Sequence, residues 1–129
     1  MIDRKLISSG APWEASVGYS RVVRVGNRVL VAGTTGIQLD GEPAGLDAYS
    51  QAKRAFEIIG AALEEAGVGF ADVVRTRIYL TNIARDGEAV GRAHGEVFAD
   101  IRPASTMVEV SGLIRAELLV EIEAEAVLD

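Results

Sequence analysis

The chain has 129 residues, 49% of them apolar and 25% charged, with a net charge of −6 at pH 7. That is enough apolar material for one domain, residues 1–129, with a buried core. It is the wrong sign of charge for a protein that neutralises nucleic-acid phosphates. No cysteine is present and His94 is the single histidine, which excludes disulfides, thiolate nucleophiles, thiolate-held zinc and a two-histidine metal site within the chain. No apolar run reaches the ~18 residues of a membrane span. The opening MIDRKLISSGAPWE has no stretch of signal-peptide character, so the expectation is a cytoplasmic protein with no membrane attachment.

Two β-rich runs come first, Arg21 to Val25 and Arg28 to Ala32, joined by Gly26-Asn27. Two residues that tolerate positive φ between such runs predict a tight hairpin. Gly33-Thr34-Thr35-Gly36 closes the second strand; with no lysine and no helix behind it, it is not a phosphate loop. Asp40 to Gly45 is a loop by composition. The spacing of Ala52, Phe56, Ile59, Leu63 and Ala66 predicts a helix from Asp47, its cap, to a stop at Gly67. Val73 to Leu80 alternates as a strand, with Val74, Thr76, Ile78 and Leu80 on one side and Arg75, Arg77 and Tyr79 on the other. Asp86 to Phe98 predicts a second helix on Val90, Ala93, Val97 and Phe98, weakened by Gly91 and Gly95. Thr106 to Val110 and Leu119 to Val127 are the last strands. The order β-β-α-β-α-β-β predicts an α+β domain with two helices on one face of a mixed sheet.

The last strand raises the chemical question. Val120, Ile122, Ala124 and Ala126 point to one side, and Glu121, Glu123 and Glu125 to the other. Each glutamate admits two readings. It can sit on a solvated face paired with Arg75 or Arg77, worth ~0.2–1 kcal/mol per cross-strand pair. It can instead stand in a cleft as a general base that activates water. His94 follows Val90 by one helical turn, so a hydrogen-bonded, partly buried imidazole is expected. Trp13 and Tyr19 flank a glycine-containing segment and serve either as packed aromatics or as a pocket wall. No G-x-S-x-G elbow is present.

Four segments together carry a resemblance: VGYSRVVRVGNRVLVAGTTG, QAKRAFEIIGAALEEAGVGFADVVRTRIYLTNI, VGRAHGEVFADIRPASTMVEVSGL and LLVEIEAEAVL. From about Val17 to Leu128 the chain resembles the RidA/YjgF family, also described as endoribonuclease L-PSP. The resemblance implies a chorismate-mutase-like fold and a homotrimer, with the sheets forming a central barrel and small-molecule clefts between subunits. It implies hydrolysis of reactive enamines and imines, such as 2-aminoacrylate, to a 2-oxo acid and ammonia, with no metal or organic cofactor.

Position by position, the resemblance is incomplete. Active deaminases of the family carry an arginine two residues after the proline of RPAST, to grip a carboxylate as a planar fork; here that position is Ser105. The water-activating glutamate corresponds to Glu121. The N-terminal pocket aromatic corresponds to Tyr19, preceded by Gly18 where the family has proline. Ala32 stands for a serine before the glycine Gly33, Gly91 for a helix asparagine, and Met107 for a small residue or cysteine. Backbone N–H groups around Ser105, Thr106 and Met107 are expected to hold the carbonyl side of a ligand. Loss of a bidentate arginine pair costs about 2–5 kcal/mol of binding unless another cation replaces it. Arg102 is the first candidate replacement and Arg92 the second. The expected function is an imine or enamine hydrolase of altered substrate range. The alternative is a non-catalytic trimer that binds a metabolite as sensor or scavenger. A ribonuclease comes last, opposed by the charge and the lone histidine.

Overall fold

A computed structural model describes residues 3–129. Its strands are β1 (Arg4–Ile7), β2 (Val22–Val25), β3 (Arg28–Thr34), β4 (Val73–Leu80), β5 (Ala104–Glu109) and β6 (Val120–Val127), and its helices α1 (Pro12–Val17), α2 (Ala48–Glu65) and α3 (Ile83–Phe98). The six strands form one mixed sheet in the order β1-β2-β3-β6-β4-β5. Only the β4–β5 pair is parallel.

The core lies between one sheet face and the long helices α2 and α3. Val29 and Val31 of β3, Ile78 and Leu80 of β4, and Val120 and Ile122 of β6 are buried there. They meet Ala52, Phe56, Ile59 and Leu63 of α2 and Val90, Ala93 and Phe98 of α3, all of them buried. Phe56 and Phe98 stack edge to face at 5.7 Å. Asp47 caps α2 by accepting from Ser50 N at 2.9 Å. Gly67, at φ 83°, ends it in a left-handed turn, with Val68 N donating to Leu63 O and Gly67 N to Glu64 O.

The structure departs from the sequence-based expectation in four places. β1 and α1 were not expected: three of the four β1 residues are exposed, and α1 is six residues long with no side-chain cap. α3 begins at Ile83 rather than Asp86, because Asn82 caps it by accepting from Arg85 N at 3.0 Å. Val74 faces solvent, 47% exposed, and Val73 is buried instead. A register shift between Val73 and Arg75 against β6 breaks the alternation there. A second shift lies between Val31 and Thr34, where Ala32 and Gly33 together oppose Glu123.

Gln51 ties two loops to this frame. It is fully buried on α2; its Nε2 donates to Gly45 O and Glu117 O, both at 3.0 Å, and its Oε1 accepts from Leu119 N at 2.8 Å. Gln51→Leu keeps the volume and strands three backbone groups. Urea unfolding is expected to show a loss of about 3 kcal/mol; a loss below about 1 kcal/mol would mean the loops re-pair elsewhere.

Candidate active site

β6 is paired on both sides, so its register is fixed and its three glutamates share the sheet face away from the helices. Their environments differ. Glu123 accepts from the Tyr79 hydroxyl on β4. Glu125 accepts from Arg77 Nη1 at 3.0 Å and lies 3.7 Å from Arg28 Nη2. Glu121 has no hydrogen-bond or ion-pair partner among the described residues. Its carboxylate lies against Gly33: a Cβ at that position would sit 2.2 Å from Oε2. The bulge at Ala32-Gly33 and the missing side chain together make room for this one carboxylate. Burial pushes the Glu121 pKa up, Arg21 opposes the rise, and Glu123 adds to it.

Arg21 is a charged neighbour of Glu121 that the sequence does not single out. It is buried, and its Nη1 donates to Gly33 O at 2.8 Å and to Thr34 Oγ1 at 2.7 Å. Its guanidinium lies 5.8 Å from the centre of the Tyr19 ring. Its Nε is 3.8 Å from Glu14, which is buried in turn and accepts from Ser8 Oγ at 2.9 Å, Ser9 N at 3.1 Å and Ser9 Oγ. Burial alone would raise the Glu14 pKa; hydrogen bonds from Ser9 and Ser8, with the Arg21 charge, outweigh it and hold the group below the ordinary value. Nothing in the sequence separates this arginine from a surface one, since its partners come from α1, through Glu14, and from the Gly33-Thr34 end of β3. Tyr19, Ala32, Gly33 and Glu121 thus belong to one neighbourhood. Ala32 also lines a depression of about 270 Å³ with Leu30, Arg77, Glu123 and Glu125. A larger depression, about 670 Å³, lies along α2 beside Tyr49, Lys53 and Arg54 and contains none of the expected site residues.

The remaining expected residues lie elsewhere. β5 is an edge strand, so one row of its backbone groups is unpaired within the chain. Parallel pairing places Ser105 opposite Thr76 and Met107 opposite Ile78, both on the helix side of the sheet. Met107 packs toward Gly87 of α3, and Gly91 one turn later has open space beside it. Thr106, opposite Arg77, faces the carboxylate side. Arg102 is exposed just before β5 and has φ 58°, the only positive φ outside glycine among the described residues. Arg92 stacks on Tyr49 of α2 at 4.6 Å and is engaged there. His94 is half-buried, as expected, with Nε2 2.8 Å from Thr76 Oγ1. Two strand spacings, about 10 Å, and the thickness of the sheet separate Ser105 from Glu121 within one chain.

Residues 9–128 match the family model described as Endoribonuclease L-PSP. The chain belongs to this family. Rv2704 of Mycobacterium tuberculosis, solved as a member of the YjgF/YER057c/UK114 family, is 49% identical and superposes with a TM-score of 0.90, covering 98% of this chain and 100% of that one. An uncharacterized protein of Streptomyces coelicolor is 45% identical over 93% of this chain and 89% of its own length. The 2-iminobutanoate/2-iminopropanoate deaminase of Mus musculus is 32% identical over 98% of this chain and 93% of its own. The RidA/YjgF assignment and the chorismate-mutase-like fold expected from the sequence both hold.

The Glu121 environment yields a stability prediction. Its folded pKa lies above the ordinary value of 4.5, so the folded state binds the extra proton and the ionised group destabilises the fold at neutral pH. Glu121→Gln is therefore expected to raise the urea midpoint at neutral pH. The gain should shrink as pH falls through the folded pKa and disappear below 4.5, where both states are protonated. A gain of equal size at both ends of that range would show that ionisation of Glu121 is not its source.

Proposed function

We propose that the protein hydrolyses a reactive imine or enamine to a carbonyl compound and ammonia, in a cleft between two copies of the chain. The observation that carries this reading is the unpaired carboxylate of Glu121, alone among three glutamates in having no partner among the described residues and raised in pKa by burial. A carboxylate of that kind takes a proton from water. The water oxygen adds to the C=N carbon, the nitrogen gains protons, and the C–N bond breaks to leave C=O and ammonia. An enamine reaches the same path after tautomerising to the imine.

Two further features support the reading. The mouse relative is named a 2-iminobutanoate/2-iminopropanoate deaminase. The residues expected at the site fall on opposite faces of one sheet, Glu121 with Gly33 on one and Ser105 with Met107 on the other. A second copy, as in a homotrimer whose sheets line a central barrel, would bring the β5 edge of one chain to the Glu121 face of another. In that arrangement Tyr19, Ala32 and Gly33 surround the water, and the open edge around Ser105–Met107 receives the substrate.

Arg102 is the cation we assign to a substrate carboxylate. It precedes Pro103, which favours extended backbone, yet it sits in the left-handed region, a strain on the order of 1 kcal/mol. The turn after α3 accounts for this backbone, since Arg102 N donates to Phe98 O at 2.8 Å, and it leaves the arginine exposed beside the proposed cleft. Binding without turnover is the second reading, favoured by Ser105 in place of an anion-gripping arginine. RNA cleavage has less support, since a net charge of −6 and a row of carboxylates repel phosphates.

Ammonia release from imines made in situ from several amino acids tests the proposal. Wild type should exceed buffer, and Glu121→Gln should fall at least ~100-fold. A wild type no faster than buffer across the panel refutes hydrolysis and leaves the binding reading. Arg102→Gly should raise KM about tenfold or more for carboxylate substrates while Tm stays level or rises. An unchanged KM would remove Arg102 from the site.

A further inference from the structure

Thr76 is a polar residue in an apolar row. It is fully buried in the middle of β4, flanked on the same face by Ile78 and Leu80, where valine would fit the same space. An unsatisfied hydroxyl there would cost about 1–3 kcal/mol. It has two partners: His94 Nε2 lies 2.8 Å from its Oγ1, and its Oγ1 donates to Ser105 Oγ at 2.8 Å. Ser105 is exposed on the edge strand. His94 lies with its ring 4.7 Å from Phe98 and 5.9 Å from Phe56. Its Nδ1 has no partner among the described residues, and none of their buried polar side-chain atoms is unpartnered, which leaves Nδ1 in contact with water. The three side chains form an unbroken line from solvent, through the core, to the β5 edge.

We propose that His94, Thr76 and Ser105 form a proton relay between solvent and the substrate nitrogen. Each hydroxyl has one proton and can either give or accept along the line, so the chain has two senses. When Nε2 carries the proton, it donates to Thr76, Thr76 donates to Ser105, and Ser105 turns its own proton outward. When Nε2 is bare, every donation reverses and Ser105 presents a lone pair. Burial holds His94 below its ordinary 6.5, so the neutral ring with its two tautomers is the resting form at neutral pH.

The relay rests on the hydrolase reading and completes its proton count. In the addition step Glu121 takes a proton from the attacking water. Ser105 gives its proton to the imine nitrogen and is refilled from Thr76, Thr76 from Nε2, and Nδ1 from solvent. In the collapse step Glu121 returns its proton to the nitrogen, the C–N bond breaks, and ammonia leaves. The carbinolamine hydroxyl then gives its proton to Ser105, and the line returns one proton to solvent through Nδ1. Water has lost two protons, nitrogen has gained two, and the relay is back in its first sense.

Because His94 is the only histidine, imidazole ¹⁵N spectra report on it alone. We expect a hydrogen-bonded Nε2 in wild type and a shifted Nε2 signal in Thr76→Val. With an imine made in situ, Thr76→Val and Ser105→Ala should each lower kcat about tenfold or more. KM should stay within about twofold, the solvent isotope effect on kcat should shrink, and Thr76→Ser should restore both. Should Thr76→Val fail to fold, the exposed Ser105→Ala decides. An active wild type whose variants keep its kcat and isotope effect, or an Nε2 free of hydrogen bonding, overturns the relay and leaves the hydrolase standing. A wild type that hydrolyses no imine removes the hydrolase reading, and the relay with it.

Discussion

Strand β6 is hydrogen-bonded on both sides, by β3 and by β4, and the rest of the molecule is arranged around that constraint. A doubly paired strand cannot slip, and its even and odd residues are committed to opposite faces. Val120, Ile122, Ala124 and Ala126 go to the core; Glu121, Glu123 and Glu125 go to the other face at intervals of about 7 Å. Three like charges in a row repel, so the neighbouring strands must answer them. Tyr79, Arg77 and Arg28 answer two. The third is left with a glycine in front of it and a buried arginine nearby, an arrangement that keeps a carboxylate available rather than neutralised.

Much of this was legible in the sequence because it depends on local period. The 3.6-residue spacing in α2 and the strict alternation in β6 each name their buried face from within one segment. What was not legible depends on two segments at once. The bulge at Ala32-Gly33 arises only in the pairing of β3 with β6, and the shift at Val73 only in the pairing of β4 with β6. Alternation read along β4 alone therefore put Val74 inside. β1 has one buried residue out of four, and α1 is short, so neither has enough periodicity to be seen. Glu121 was singled out by resemblance; its difference from Glu123 and Glu125 is a matter of cross-strand partners. Thr76 stands in a row of aliphatic residues in the sequence, but its partners His94 and Ser105 come from other elements and cannot be read from β4 alone.

The costs in this fold are not spread evenly. Glu14 is more deeply buried than any other acidic group named here, yet serine hydroxyls, a backbone N–H and Arg21 hold it ionised. Glu121 is also withdrawn from water but lacks such donors, and its pKa moves the other way. The same polypeptide thus solves the problem of a buried carboxylate in one place and leaves it open in another. Arg102 adds backbone strain where glycine would have none. A carboxylate withdrawn from water without donors is the kind of group that functional sites use, and that observation is independent of any likeness to other proteins.

Ser105 gives the clearest reason to treat the site as rebuilt rather than damaged. The resemblance implies an arginine there, a fixed cation that binds a carboxylate and never gives up its proton. A serine contributes no charge, so the anion-binding task passes to another residue or the substrate changes. A serine with no connection behind it would be a simple loss. This one accepts from Thr76, which in turn meets the only histidine of the chain. An arginine side chain is too long, and holds its protons too tightly, to close that short hydroxyl line from the same backbone position. In the proposed relay the position exchanges the fixed charge that the resemblance implies for a transferable proton, and the buried threonine and half-buried histidine are the two residues that make the exchange chemically useful.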